Sequence, residues 1–512
     1  MIEENKSSMK NSVRRIIIAG IGVLIQIIWV VVLVMRLNQY SQIITLLTVA
    51  IELVLVLAVY SMDTNAAFKL PWIILITVAP IVGICVFFLF GRSGATKKVR
   101  ARYRKIDQQL FAYLNQDEQI IEELSKKDER LANDFKYLWK CASSPVYKNT
   151  DVKYYGDTCD AMAAQLEDMM QAKQFIFLEY HAIEMAESFQ ALRKVLMAKA
   201  REGVEIRILY DDAGCIGFLN PRFIKYMESM GIQCRVFNPI MPVLNIFMNN
   251  RDHRKITVID GRVAYTGGYN LADEYFNITH PYGQWKDSGI RFEGDAVQTA
   301  TILFLEMWNA LREQDVDIEK YLPVYPYKAK EQGFFALYGD SPLDKEPAGE
   351  NVYMNLLRHA KKYIYFTTPY LILSDEMTRE LTGAAKRGVD VRIITPGIPD
   401  KKTIFQVTKS YYPQLLKHGV KIYEYTPGFM HEKQCICDGE IVVVGTINLD
   451  FRSLYLHFEN AALFCGYEAV SHVKEDFDAL FPICKDMSKE PSERTRRLRL
   501  SQLILRLFSP LM

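Results

Sequence analysis

The chain has 512 residues, room for two or three domains, and its 62 basic and 60 acidic residues leave a formal charge of only +2. That balance lacks the electrostatic footprint of general nucleic-acid binding, so no nucleic acid is expected as a partner. The nine cysteines are odd in number and irregularly spaced, which argues against a disulfide framework, and Cys435 with Cys437 lacks the further ligands of a zinc site.

Apolar residues concentrate at the N-terminus. Residues 16–35 form a run as long as a bilayer span, bracketed by Arg14, Arg15 and Arg36. No small-residue cleavage pattern follows, so the run reads as an anchor rather than a signal peptide. A second run covers Ile43 to Tyr60, with Glu52 in its middle, and a third covers Leu70 to Phe90, with Pro80 and Gly83 inside. Residues 1–100 are therefore expected to form a membrane region of about three transmembrane helices. An acid at mid-span is costly unless it faces protein or water, which places Glu52 at a helix contact or a headgroup path. Basic residues flank both ends, from Lys6 to Arg15 before the first run and from Arg92 to Lys105 after the third. Three spans put these clusters on opposite sides, against the cytoplasmic preference of positive charge. The larger second cluster and the unpaired cysteines favour a cytoplasmic catalytic region.

Residues 101–145 read as a polar helical connector, with Leu110, Leu114, Ile121 and Leu124 along one side. Two similar halves follow, 146–330 and 331–512. Phe175-Ile176-Phe177-Leu178 matches Tyr363-Ile364-Tyr365-Phe366, and the stretch from Arg201 to Ile208 matches Lys386 to Ile393 nearly position for position. Each half reads strand, helix, strand, helix, strand, then a last strand carrying a histidine motif. Strands alternating with helices give the fold class α/β, as a pair of sandwich domains. Turn residues from Pro323 to Pro342 mark the boundary.

The motif occurs twice. His253-Arg254-Lys255 leads to Asp260, and His431-Glu432-Lys433 leads to Asp438; both read H-x-K-x4-D. Gly267-Gly268-Tyr269-Asn270 and Gly445-Thr446-Ile447-Asn448 follow, and the two asparagines are as far apart as the two histidines. On a strand, residues i and i+2 share a face, so each copy presents an imidazole beside an ammonium. The glycine turn brings the asparagine back to them. Two histidines, two lysines and two amides are the parts that hold an anionic tetrahedral phosphorus and carry a two-step displacement. Asp260 and Asp438 complete the motif set and read as holding the motif strands by pairing. The other six histidines, His181 and His457 among them, show no partner spacing and read as ordinary polar positions, although His181 could sit at a strand end by the site.

Two further stretches suggest lipid contact. Residues 239–248 are an apolar loop just before the first motif. The C-terminus interleaves Arg494, Arg496, Arg497, Arg499 and Arg506 with leucines and Phe508, as in a basic amphipathic helix suited to an anionic membrane.

From about residue 40 onward the chain resembles the phospholipase D superfamily, and within it the bacterial cardiolipin synthases of phospholipase D type. The stretch from Gly267 to Tyr275, the stretch from Gly445 to Ser453, Trp285-Lys286-Asp287 and the terminal Ser509-Pro510-Leu511-Met512 carry the resemblance. It implies two α/β/α sandwich domains sharing one active site. It also implies His253 as nucleophile and His431 as acid and base, with Lys255, Lys433, Asn270 and Asn448 binding phosphate oxygens. Such enzymes orient a histidine with an acid eleven residues after the motif asparagine. Glu459 keeps that offset from Asn448; Asp287 is seventeen residues past Asn270, which an insertion around Pro281-Tyr282-Gly283 explains. The expected reaction joins two phosphatidylglycerols into cardiolipin and releases glycerol, at a bacterial cell membrane, without metal or other cofactor. A phospholipase D hydrolase or another phosphatidyltransferase shares the same motifs.

Overall fold

The structure is a computed structural model that describes residues 42–88, 97–219, 222–240, 249–312, 317–324, 326–490 and 498–511, with Asp315 and a few positions between 24 and 35. The first apolar run, the loop at 241–248 and Arg494, Arg496 and Arg497 therefore lie wholly or largely outside the described residues.

The first half is built on strands β1 (Thr150–Tyr155), β2 (Phe175–Tyr180), β3 (Glu205–Asp211), β4 (Gln233–Phe237), β5 (Arg251–Asp252), β6 (Lys255–Ile259), β7 (Val263–Gly267), β8 (Gln284–Lys286) and β9 (Gly289–Gly294). The second uses β10 (Phe334–Asp340), β11 (Tyr363–Thr367), β12 (Asp390–Pro396), β13 (Lys421–Tyr425), β14 (Gly428–Met430), β15 (Gln434–Cys437), β16 (Ile441–Gly445), β17 (His457–Cys465) and β18 (Cys484–Asp486). The sheet orders are β1-β9-β7-β6-β2-β3-β4 and β10-β17-β16-β15-β11-β12-β13-β18, so the sequence repeat is also a repeat of topology. In each sheet three parallel strands joined by helices adjoin an antiparallel block that carries the motif. The sequence pattern explains the placement: β2 and β6 are buried on both faces, as near-continuous apolar runs in a covered sheet should be.

The two sheets share one core. Phe177, Ile256, Val258 and Phe292 from the first meet Leu337, Ile436, Val444 and Phe464 from the second in a single cluster. The helix Val297–Leu311 lies inside it, apolar and buried nearly all round. The halves are thus docked through dry surface, which fixes their relative position at the site.

The N-terminal expectations change in detail. The second run forms one helix, Gln42–Tyr60, with Glu52 only half-buried. The third run is not a single span. It breaks at Ala79, and Pro80 opens a second short helix that folds back on the first, Ala66–Val78. Gly83 allows this, because a side-chain carbon there would lie 2.6 Å from the Cα of Ile76. Among the described residues no helix is long and apolar enough to cross a membrane. The hairpin is held to the second half by Phe68, whose ring lies 5.6 Å from those of Phe451 and Tyr455. Many apolar side chains of the N-terminal helices face outward, Leu46 of Gln42–Tyr60 being 74% and Val78 of Ala66–Val78 79% exposed. At the C-terminus the described helix is only Leu500–Leu507. It packs against its own domain, with Arg506 stacked 4.1 Å over Tyr411, while Leu500, Leu503, Ile504 and Phe508 remain exposed.

Candidate active site

The two motifs meet where the halves meet. The strand just before each motif histidine leaves its own sheet and pairs in parallel with the other half. In β5, Arg251 and Asp252 pair with His457 and Phe458, so that one residue further on His253 faces Glu459. In β14, Phe429 and Met430 pair with Trp285 and Lys286, so that His431 faces Asp287. The histidine N–H groups extend these ladders, His253 donating to the carbonyl of Phe458 at 2.9 Å and His431 to that of Lys286 at 2.8 Å. This corrects the reading of both histidines as strand residues. The motif strands begin only at Lys255 and Gln434, because the histidine backbone is committed to the opposite half.

Each imidazole is therefore gripped by the carboxylate of the other repeat. His253 Nδ1 lies 2.8 Å from Glu459 Oε2, and His431 Nδ1 lies 2.5 Å from Asp287 Oδ2. A carboxylate accepts, so Nδ1 carries the proton in both rings and Nε2 is left for chemistry. Glu459 also accepts from the hydroxyls of Thr446 and Ser453, each at 2.5 Å. Burial works to raise its carboxyl, but His253, the strongest opposing influence, holds it below the usual carboxylate range. The glycine pair has a matching reason. A side-chain carbon at Gly268 would sit 2.0 Å from Asp287 Oδ1, so this position must stay bare, whereas Thr446 occupies the corresponding place and donates to Glu459.

Burial pushes His253 down to about 3 and His431 down to about 4, against the pull of their carboxylates. Both rings are neutral near pH 7, which leaves Nε2 of His253 with a free lone pair. Burial likewise lowers Lys255 to about 7 and Lys433 to about 8. Lys255 donates to the carbonyl of His253 at 2.6 Å and Lys433 to that of His431. With Nδ1 of His431 already protonated, the Lys433 nitrogen 2.7 Å from it is a crowding charge and not a donor to it. Asn270 is buried, accepting from the Ala182 N–H at 3.1 Å and donating to the Tyr275 hydroxyl at 2.8 Å. Asn448 is buried too, and its Oδ1 has no hydrogen-bond partner among the described residues.

Asp260 and Asp438 are not brought to the histidines. Asp260 accepts the backbone N–H groups of Lys173, Gln174 and Phe175 at 2.7, 2.7 and 2.8 Å. Asp438 accepts those of Lys361, Lys362 and Tyr363, each at 2.8 Å. Both sit at positive φ, 53° in each case, and tie the end of a motif strand to the start of its central neighbour. The middle residue of each motif points away into an ion pair, Arg254 with Glu306 at 2.8 Å and Glu432 with Lys286 at 2.6 Å.

The surroundings of the two histidines differ. His181 and His457 flank His253, with ring centroids 5.0 and 5.6 Å away. His431 is walled by Trp285, Tyr275 and Phe429, at 5.0, 5.3 and 5.7 Å. His181 and His457 are thus not ordinary polar positions. His457 was legible as the i−2 neighbour of Glu459 on a strand, sharing its face; the aromatic wall, assembled from both halves, was not.

Two α/β repeats that pool their histidines across a shared interface define a phospholipase D-like enzyme. The family described as "Cardiolipin synthase, PLD-like domain" matches residues 166–308 and 353–481, and the chain belongs to it, a family of phosphatidyltransferases. It is 32% identical over 442 residues to a cardiolipin synthase of Halalkalibacterium halodurans, covering 86% of this chain and 87% of that one. An uncharacterized protein of Streptococcus mutans is 39% identical over 460 residues, covering 90% of this chain and 99% of the relative. Among solved structures, phosphatidylserine synthase from Haemophilus influenzae shares the fold, with a TM-score of 0.54 at 14% identity over 71% of this chain and 95% of that one.

Proposed function

We propose that the protein is a membrane-bound cardiolipin synthase that transfers a phosphatidyl group from one phosphatidylglycerol to another through a phosphohistidine. The observation that carries this reading is the reciprocal grip of each histidine Nδ1 by the other repeat's carboxylate, which leaves both Nε2 atoms for chemistry at the seam between the halves. His253 Nε2 attacks phosphorus, and the bond from phosphorus to the glycerol oxygen breaks. His431 Nε2 delivers a proton to that oxygen, and free glycerol leaves. The hydroxyl of a second phosphatidylglycerol then gives its proton back to His431 and attacks phosphorus, releasing His253 and completing cardiolipin.

The electrostatics support this order. Burial discourages charge on all four basic groups. An anionic phosphodiester reverses that balance and favours protonated Lys255 and His431 beside the Lys433 ammonium, so the acid gains its charge with substrate in place. Lys255, Lys433, Asn270 and Asn448 are assigned the phosphoryl oxygens. The aromatic wall around His431 supports a lipid acceptor over water, since it keeps solvent from the phosphatidyl-enzyme. The exposed apolar faces of the N-terminal helices and of the helix Leu500–Leu507 support attachment to a bilayer of anionic lipids, and the larger basic cluster from Arg92 to Lys105 supports placing the catalytic halves on the cytoplasmic side.

Labelled phosphatidylglycerol in mixed micelles with the purified full-length protein tests the reading. Cardiolipin with an equal amount of glycerol is the expected result. Phosphatidic acid as sole product would make the protein a hydrolase.

A further inference from the structure

We propose that His253, His457 and Glu459 form an inhibitory binding site for a borderline divalent cation, of which Zn2+ fits best. One ligand atom from each of the three residues lies within 4.8 Å of the others. Two of the separations are known individually: Glu459 Oε2 to His253 Nδ1 is 2.8 Å and Glu459 Oε1 to His457 Nδ1 is 3.5 Å. They bracket the spacing of about 3.3 Å that tetrahedral zinc with bonds of roughly 2.0–2.1 Å imposes on its ligands. These two contacts use different oxygens of the same carboxylate, so the ion needs modest adjustment of the three side chains to share it.

His457 supplies a second observation that calls for a ligand. Its buried Nε2 has no hydrogen-bond partner among the described residues, and its Nδ1 has only the long contact of 3.5 Å to Glu459 Oε1. Buried polar atoms are normally satisfied, so an under-satisfied imidazole beside a carboxylate marks a place where something binds. Two histidines and one carboxylate are a ligand set that zinc favours, with a fourth position left for water.

The other histidine provides an internal control. His431 has Asp287 but no second imidazole; its ring neighbours are aromatic side chains, whereas a lysine accompanies both histidines. The ion is therefore expected on the His253 side alone. It takes the place of the proton that Nδ1 shares with Glu459 and draws electron density from the ring, so Nε2 becomes a poor nucleophile. This inhibition rests on His253 being the attacking residue, whereas the binding itself does not.

The test uses the full-length protein in detergent, first without lipid. Calorimetric titration with ZnCl2 is expected to show one ion bound per chain, and Co2+ in its place is expected to give the intense absorption of a tetrahedral site. His457→Asn should weaken binding by at least about tenfold, as losing one ligand does. Its metal-free lipid turnover should stay within a few-fold of the parent, and Zn2+ should no longer inhibit it. His457→Gln guards against a folding defect in the first variant. His472→Ala removes the exposed pair of His472 with Glu468 and is expected to change nothing. Undiminished zinc binding in both His457 variants, or no binding by the parent, would overturn the proposal. Binding lost with His457 but without any effect on turnover would keep the site and reject the inhibition.

Discussion

The two half-sites share a plan and differ in surroundings, and the difference separates their tasks. In both, a motif histidine leaves its strand, pairs its backbone with the opposite repeat and lays Nδ1 against that repeat's carboxylate. Around His253 the neighbours are polar: two more imidazoles, and a glutamate fixed by two hydroxyls. Around His431 they are aromatic, and the carboxylate is a shorter aspartate drawn tight against a bare glycine. A nucleophile needs a rigid, correctly protonated ring. An acid–base that must serve a lipid and refuse water needs a dry wall. Duplication supplied two equal sets, and their surroundings make them unequal.

The largest effects should come from the histidines and should differ in kind. His253→Ala is expected to lower phosphatidylglycerol turnover by about 10^4-fold or more, with no covalent intermediate formed. His431→Asn is expected to lower steady turnover comparably while a phosphatidyl-enzyme accumulates, seen by rapid acid quench with acyl-labelled substrate. Equal behaviour of the two variants would break the division of labour.

The carboxylates come next. Glu459→Gln and Asp287→Asn keep the shape but lose the charge that fixes the tautomer, and each should cost roughly 10^2 to 10^4 in kcat. Because the grips cross, Glu459→Gln should slow formation of the intermediate through the nucleophile, whereas Asp287→Asn, acting through the acid–base His431, should slow both its formation and its consumption, as single-turnover kinetics can show. The reverse pattern would mean that each carboxylate serves the histidine of its own repeat.

Much of this was legible in the sequence. The aligned H-x-K and asparagine positions marked both half-sites, and the motif aspartates read as strand holders. The exchange of carboxylates was not legible, because it depends on how β5 meets β17 and β14 meets β8 after docking, a contact with no local pattern. His181 was marked only as a strand end by the site, and His457 was read as an ordinary polar position despite standing two residues before Glu459; the fold brings both to His253. At the N-terminus, hydropathy marked the runs but underweighted Pro80, whose ring cannot continue the helix before it.

Smaller effects sharpen the contrast. Trp285→Ala opens the wall beside His431 and should raise the ratio of phosphatidic acid to cardiolipin several-fold, with total turnover changing less; an unchanged ratio would remove the wall from any part in acceptor choice. Inorganic phosphate should bind with proton uptake at about pH 8.5. Lys255 and Lys433, at about 7 and about 8 when the site is empty, are then mostly neutral, and an anion raises both toward the ordinary lysine value. Titration calorimetry in buffers of different ionisation enthalpy reads the sign, and proton release would contradict the account.

The most direct test of the central claim is to locate the covalent lipid. His431→Asn is incubated with acyl-labelled phosphatidylglycerol, quenched under conditions that preserve phosphohistidine, digested and mapped by mass spectrometry. The account predicts a phosphatidyl adduct on the peptide that carries His253. An adduct on any other residue would contradict it.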